Sequence, residues 1–501
     1  MVSRAAVCLV FCFGFVLTAV AAPRYLGEEI WYAVDSDNFR VITDGDPQTV
    51  KRLVADLERY RAVAIELLDA TPDIPKLTIY AAGDRDTYAG LVGAELAEMT
   101  NGLFDTSAEG SYALVNLDGR SAERQLKARE FLFHEYTHFL SYNGNTTHFP
   151  YWYSEGFAEF MATMSFPKKG RYELGDIPHE RAMTLMYAGL MPLEPLLRAT
   201  VYNTDAEAKA NVYASGWLLS HWLKMTSGKT EEFDQFVKAY NDGADPVLAL
   251  EEALDMTLAE IEKAYVAAYE LGEFDTVTGE IPADFLEATP EVKRLTNREA
   301  VNVLAGFIAQ SGYNLQALED LMAYALQTGI YNTELVSIKA SADLRMGDFP
   351  QASHLLASVP GNDRRQPWYL SAHAWLTVNQ QATIPNKGRD LRSLKRASDE
   401  FAYLVDKEPQ KASHWFGLAM TMEMLDYPRE KYLEMLEQAY QRAPRELHIA
   451  QWLAEELYQQ KDAEYYVRVA KPLIFEIPDE FESQQIKMRL AEFQGKPKSL
   501  Q

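Results

Sequence analysis

Four residues in the C-terminal part of the chain recur, in the same order and at the same spacing, 35 positions further on. The first set is Ala305, Gly312, Ala317 and Leu321, and the second is Ala340, Gly347, Ala352 and Leu356. The surrounding segments have helical periodicity, and Gly347-Asp348 lies where one helix would end and the next begin. Because four matches at one offset are hard to ascribe to chance, we expect stacked pairs of helices in this region.

Prolines close the later units of this pattern. They are Pro409, Pro444 and Pro478, at steps of 35 and 34 residues. The pattern resembles tetratricopeptide repeats (TPRs), whose small residues let helices pack closely and whose proline ends the second helix. The resemblance implies an all-α, TPR-like domain over residues 289–501 that binds a protein partner. An insert around Pro385 and the bulky Tyr432 depart from the pattern, and an ordinary helical bundle is the alternative.

The chain before the repeats alternates strands with helices. Alternating apolar residues predict strands over residues 38–43, 76–80 and 112–117, and amphipathic spacing predicts a helix over residues 50–68. From residue 206 to about residue 271 the periodicity is helical almost throughout. The chain exceeds the usual size of one domain. We therefore expect an α+β domain over residues 22–285, with a small N-terminal sheet, a helical second half and its own core.

The segment His134-Glu135-Tyr136-Thr137-His138 carries two imidazoles four residues apart. Residues i and i+4 lie on one face of a helix, so His134 and His138 can bind one tetrahedral zinc ion, and Glu135 can reach its bound water. Ser121 can cap such a helix and Asn143-Gly144 can end it. The segment therefore predicts a metal-dependent hydrolase.

A hydrolytic zinc site usually has three protein ligands and one position open to water. In metzincins the third ligand would be a histidine six residues after His138, but that position is Gly144, and His148 comes four residues too late. Glu155 lies 17 positions past His138, on a predicted helix that could return beneath the metal. Glu155 is therefore the candidate third ligand.

A His-Glu-x-x-His motif followed by a Trp-x-x-Glu-Gly-x-Ala segment resembles the gluzincin metallopeptidases, above all their exported bacterial, peptidase MA-like branch. The resemblance covers roughly residues 28–271 and implies a zincin-like catalytic fold. It implies that His134, His138 and Glu155 hold one Zn²⁺ and that Glu135 is the general base. It also implies that Glu159 is not a metal ligand itself but orients one of the histidine ligands.

Tyr213 falls where related sequences tend to carry the tyrosine that donates to the oxyanion. From the residues alone, Tyr213 could equally be a core aromatic, and Glu159 could be a solvated acid on a helix face. Weaker candidates for the donor are His148, Tyr153, His179 and His221.

The N-terminus has the form of a signal peptide over residues 1–21. Arg4 precedes an apolar run, and Thr18-Ala19-Val20-Ala21 has the small-x-small form that signal peptidase cleaves. Both cysteines, Cys8 and Cys12, lie within this segment, so no disulfide can form after processing. A large exported chain without disulfides favours the bacterial periplasm.

The formal net charge of −25 repels nucleic acid and anionic lipid. No second apolar run reaches the about 18 residues of a spanning helix, so we expect no membrane span in the mature chain. Peptides and proteins remain as substrates and partners.

These observations predict an exported zinc metallopeptidase whose repeats recruit a protein partner or substrate. Substrate would add as a strand to an exposed sheet edge, with residues 112–117 as the candidate. The alternatives are an inactive or weakly active repeat scaffold and an assembly factor of the cell envelope. An intact Glu135 argues against an inactive scaffold, which has no chemical need for that carboxylate.

Overall fold

The computed structural model describes residues 29–68, 70, 74–117, 122–142, 147–201, 203–286, 289–477 and 480–493. The predicted signal peptide with its cysteines, the predicted cap Ser121, the stop Asn143-Gly144 and Pro478 lie outside the described residues. Those predictions stay predictions.

The described chain is α+β, as predicted, with strands concentrated in its N-terminal half. The strands are β1 (Tyr32–Asp35), β2 (Phe39–Thr43), β3 (Leu77–Ala82), β4 (Gly102–Ser107), β5 (Gly110–Asn116), β6 (Ser165–Lys168), β7 (Arg171–Leu174), β8 (Val277–Glu280) and β9 (Glu291–Arg294). The predicted strands over residues 38–43, 76–80 and 112–117 are thereby confirmed as β2, β3 and β5.

Helices fill most of the remaining chain. Those before β9 are α1 (Pro47–Leu68), α2 (Arg85–Val92), α3 (Ala94–Met99), α4 (Ala122–Tyr142), α5 (Tyr151–Ala162), α6 (His179–Ala188), α7 (Leu193–Leu197), α8 (Ala206–His221), α9 (Thr230–Asn241), α10 (Pro246–Leu254) and α11 (Leu258–Leu271). Those after β9 are α12 (Asn297–Ser311), α13 (Leu315–Gln327), α14 (Thr333–Arg345), α15 (Phe349–Ser358), α16 (Pro367–Ala382), α17 (Leu391–Lys407), α18 (Ala412–Met424), α19 (Arg429–Arg442), α20 (Leu447–Gln460), α21 (Ala463–Glu476) and α22 (Glu480–Phe493). Among the described helices, none combines the length and the apolar character needed to cross a membrane.

The main sheet has six strands in the order β4-β5-β3-β2-β1-β9. The pairs β2–β3 and β3–β5 are parallel, and the other three pairs are antiparallel. Because β5 is hydrogen-bonded to β3 on one side and to β4 on the other, residues 112–117 are not an exposed edge, and that prediction was wrong. Within the described chain, β4 forms this edge of the sheet.

Both faces of the main sheet are buried. Side chains alternate across a strand, so Ile79 contributes to a core with α1 and α4, while its neighbour Tyr80 contributes to a core with α12. Ala113 likewise contributes to the core with α1 and α4, and Leu114 to the core with α12. The sheet is therefore a middle layer between the helices that carry the candidate site and the helices that follow β9.

The predicted boundary near residue 289 does not separate two cores. β9 lies past that boundary but pairs with β1, and the backbone amide of Leu295 donates to the carbonyl of Trp31 at 2.9 Å. The ring of Phe307, in α12, packs on the ring of Tyr80, with 4.4 Å between the ring centroids. On this face of the sheet, residues before and after position 289 share one core, whereas the core on the opposite face lies within residues 34–281.

The region after β9 consists of helices that pack in consecutive pairs, as the 35-residue recurrence predicts. Gly347 ends the first helix of one pair with a φ of 79°, and the side chain of Asp348 caps the next helix. The insert near Pro385 forms a short 3₁₀ turn between α16 and α17. Tyr432 is buried, with its hydroxyl 3.3 Å from the Glu456 carboxylate. We call residues 297–493 the helical array.

Candidate metal centre

Helix α4 positions both histidines. Its inner face packs on α1, where Phe133 stacks on Tyr60 at 4.1 Å between ring centroids and the hydroxyls of Thr137 and Tyr60 lie 2.5 Å apart. His134 and His138, four residues apart on an adjoining face, are buried and turn towards α5. The local sequence therefore fixes both imidazoles on a helix anchored in the core.

Helix α5 returns beside α4 and brings Glu155 between the two histidines. The Nε2 atoms of His134 and His138 lie 3.2 Å apart, and each lies 3.3 Å from the same Glu155 oxygen, Oε2. The three ligand atoms thus form a nearly equilateral triangle. Across the described residues, this is the one group of three or more His, Cys, Asp or Glu side chains placed to hold a metal ion.

The triangle has the size that a small tetrahedral ion needs. Ligands about 2.0 to 2.1 Å from such an ion are about 3.3 to 3.4 Å from one another, close to the observed sides of 3.2, 3.3 and 3.3 Å. Three protein ligands leave the fourth position open, as in hydrolytic rather than structural sites. The residues present therefore fit a metal ion with one exchangeable position.

The charges around the triangle also favour a cation. Burial alone would raise the pKa of Glu155, but His138 and His134 outweigh it and hold the pKa of that carboxyl far below its usual range. Burial alone would lower the pKa of His134, but Glu155 and Glu159 raise it to about 10. The carboxylates are therefore ionised at neutral pH, and the group is negative unless a proton or a cation occupies it.

Glu159 lies one helical turn beyond Glu155 and is buried rather than solvated. Its Oε1 is 3.2 Å from Nδ1 of His134, the ring nitrogen that faces away from the triangle. Arg181 of α6 holds the same oxygen at 2.7 Å. Although burial would raise the pKa of Glu159, His134 and Arg181 lower it to about 2. An ionised Glu159 can therefore keep the His134 proton on Nδ1 and leave Nε2 free for a metal.

We expect Glu159→Gln to weaken metal binding by about 10- to 100-fold, because the amide no longer fixes the tautomer of His134. Competition with a fluorescent zinc chelator measures this change. Glu252→Gln, which removes an exposed carboxylate of α10, is the matched control and should bind zinc like the wild type. Equal affinity of all three proteins would contradict the orienting role of Glu159.

Tyr213 of α8 lies beside the triangle. Its ring stacks 6.0 Å from that of His134, and the guanidinium carbon of Arg181 lies 5.2 Å from its centre. Burial and then the neighbouring Glu155 raise the pKa of Tyr213 far above its ordinary value, so the hydroxyl keeps its proton. Glu135 is half-buried, and its charge contributes to the raised pKa of His134.

The weaker candidates for an oxyanion donor contact residues other than the three of the triangle. Tyr153 is buried and stacks on Phe157, and Nε2 of His221 lies 2.9 Å from the carbonyl of Asp275. The ring of His148 stacks near Tyr240, and His179 is exposed at the start of α6. Of the five candidate donors, Tyr213 is the one that stacks on a triangle histidine.

Two glycines set the distance between α5 and α8. A Cβ atom on Gly156 would lie 2.1 Å from the backbone carbon of Gly216 and 2.3 Å from its oxygen. The two helices therefore cross with backbone against backbone, directly beside Glu155. This crossing explains why a glycine follows Glu155 in the sequence.

Gly156→Ala is expected to push α5 away from α8, to destabilise the fold by about 1 to 3 kcal/mol and to reduce zinc occupancy. Urea denaturation and metal analysis of the same preparation measure the two effects. Gly306→Ala is the control, because that position in α12 has no heavy atom within 4 Å of a new Cβ. Alanine there should be neutral or stabilising by up to about 1 kcal/mol. Wild-type stability of Gly156→Ala would show that the crossing can relax.

A cavity of about 850 Å³ lies behind this site rather than within it. Its walls include Tyr153, Phe157 and Phe160, which occupy the face of α5 opposite Glu155 and Glu159. Ser154 borders the cavity and also lies 3.4 Å from Nδ1 of His138. The chemistry of the triangle therefore faces away from this cavity.

Three residues that position this site were not among the predicted ones: Arg181, Ser154 and Gly216. Ser154 lies within the Trp-x-x-Glu-Gly-x-Ala segment and Gly216 follows Tyr213 by three residues, whereas Arg181 stands on a separate helix with no local pattern. Comparison with protein-family models and with curated proteins finds no match to this chain.

Proposed function

We propose that this protein is a zinc metallopeptidase in which His134, His138 and Glu155 hold one Zn²⁺. The observation that supports the proposal most is the triangle of 3.2 to 3.3 Å between their ligand atoms. Imidazole and carboxylate donors with one open position suit a hydrolytic zinc site. We also propose that the catalytic region is of the gluzincin type, that the helical array is TPR-like and that the protein is exported to the periplasm.

A zinc ion held there would lower the pKa of a bound water towards about 7 and polarise a substrate carbonyl. Glu135, one residue beyond a ligand, takes the proton of the attacking water and then gives it to the leaving amine. Glu159 holds His134 through Nδ1, and Arg181 holds Glu159. The protonated hydroxyl of Tyr213 donates to the negative oxygen that develops on the carbonyl.

The edge strand β4 supplies the place where an extended substrate would bind. Gly102 of β4 lies against Phe131 of α4, since an added Cβ would come within 2.3 Å of that ring. Phe104 packs 6.1 Å from the ring of Phe139. Strand β4 thus follows α4 past both histidines, and a peptide added to its edge would run beside the triangle.

Removing the third ligand tests the proposal. Glu155→Ala should lose its equivalent of tightly bound zinc and its peptidase activity together, because two histidines alone make a poor site. Metal analysis after dialysis and cleavage of a peptide library by the mature chain are the measurements, with Glu252→Ala as control. One full equivalent of zinc in Glu155→Ala would mean that the ligand is misassigned. A zinc-loaded wild type that cleaves no peptide would favour a scaffold.

A further inference from the structure

We propose that the helical array positions strand β4 for substrate, by holding the turn that joins β4 to β5, with Gln310 of the array and Glu109 of the turn as its side-chain anchors. The inference rests on the proposed function in one respect, the assignment of β4 as the strand that a peptide joins. Residues 107–110 are called the β4–β5 turn below.

Backbone and side-chain hydrogen bonds tie the β4–β5 turn to the array. The backbone amide of Ser413, in α18, donates to the carbonyl of Ala108 at 2.8 Å. The side-chain amide of Gln310, in α12, donates to the carbonyl of Gly110 at 2.9 Å and to the Ser107 hydroxyl at 3.2 Å. Helices from two separate pairs of the array thus hold one short turn.

Charge complementarity adds to these bonds. The half-buried Glu109 and Lys411 of the array line one cavity, and the charges of Lys411, His414 and Arg345 act on the Glu109 carboxyl. Burial alone would raise the pKa of Glu109, but these neighbours, Lys411 first, outweigh it and lower the pKa. A chain with a formal net charge of −25 therefore places basic side chains where this one acidic turn meets the array.

The turn is held by polar contacts rather than by close packing on every side. A cavity of about 290 Å³ lies beside it, lined by Lys411, Arg442 and Gln310 among others. Ala108 packs against the apolar core of the later array helices, but on the side of the cavity the turn is held by the hydrogen bonds and by Glu109. Losing the charge of Glu109 should therefore loosen the turn without removing a piece of the core.

Strand β4 transmits the position of the turn to the metal centre. It has β5 as its one partner strand among the described residues, and its side chains are half-buried or exposed. Its far end, Gly102, lies against Phe131, three residues before His134. An edge strand with one partner strand can shift on its unpaired side. The contacts between the array and the β4–β5 turn therefore determine the distance between β4 and α4.

The same contacts give the array an intramolecular role. Residues from α12 and α18 that could meet a partner peptide already bind a turn of this chain. We therefore assign Glu109 as a positioning residue, which acts on substrate through β4 and does not touch the reacting atoms.

The test compares full-length mature wild type with Glu109→Gln, with Gln310→Ala, which removes the two side-chain hydrogen bonds to the turn, and with Glu95→Gln as an exposed control on α3. Zinc content, KM and kcat for an extended peptide and for a dipeptide amide, and hydrogen exchange of residues 102–107 are measured. Glu109→Gln should raise KM for the extended peptide and the β4 exchange rate by about fivefold each, as expected for the loss of a partly exposed charge interaction. Its zinc content and its rates on the dipeptide should stay unchanged.

The same changes in Gln310→Ala and wild-type behaviour of Glu95→Gln would support the inference. Unchanged KM and unchanged β4 exchange in Glu109→Gln would overturn it. Faster exchange throughout the array, with equal losses on both substrates, would also overturn it, because Glu109 would then serve general stability. If no protein cleaves peptides but β4 exchange still responds, the hold on β4 stands and the proposed function fails.

Discussion

Glu135→Gln is expected to lower peptide hydrolysis by about 10²- to 10⁴-fold while zinc stays near one equivalent. The amide keeps the size and shape of the side chain but cannot accept the proton of the attacking water. None of the three ligand atoms belongs to Glu135, so the metal site itself should be left intact. Hydrolysis of a fluorogenic peptide, with metal analysis of the same sample, measures both quantities.

The control for this prediction is Glu252→Gln, which also exchanges one carboxylate for an amide but lies exposed on α10. It should keep wild-type rates. Equal hydrolysis by wild type and Glu135→Gln would point to a contaminating peptidase or to another mechanism. Loss of zinc from Glu135→Gln would instead assign Glu135 a structural role.

Local spacing was enough to predict which residues the site brings together. The four-residue separation of His134 and His138 is a property of one helix, and Glu155 lies on the next helix along the chain. Strands β2, β3 and β5 were recognisable for a similar reason, because their apolar runs reflect burial of the strand itself. Such features depend on residues close in sequence, and single-sequence reasoning can read them.

The same reasoning cannot predict which strands and side chains pair over long distances in the sequence. β4 has no buried side chain in its six residues, and its pairing with β5 removed the edge that was assigned to residues 112–117. β9 is four exposed residues whose partner, β1, lies more than 250 positions earlier. Arg181 likewise reaches Glu159 from a separate helix. In each case the partner is set by tertiary packing, which leaves no periodic trace in the sequence.

Phe307→Ala is expected to destabilise the whole chain by about 3 to 5 kcal/mol, the usual cost of emptying a buried phenylalanine site. Phe307 belongs to the array by sequence, but its fully buried ring lies 4.4 Å from Tyr80 and 5.2 Å from Tyr112 of the main sheet. Because one side chain fills the core of both regions, its loss should lower the stability of the sheet and the array together. Urea denaturation followed by circular dichroism gives the free energy of unfolding.

Leu326→Ala is the matched control, since Leu326 lies in the same part of the array but is 68% exposed. Its effect should stay within about 0.5 kcal/mol.

Hydrogen exchange of Phe307→Ala then shows whether the stability of the sheet depends on the array. Faster exchange in β3 and β5 as well as in α12 means that the array stabilises the layer beneath the candidate metal centre. Faster exchange confined to α12 and α13 would mean that residues 22–285 hold their own core after all. The shared core predicts the first result, and with it that a fragment ending at residue 285 exposes Tyr80 and Leu114 and aggregates.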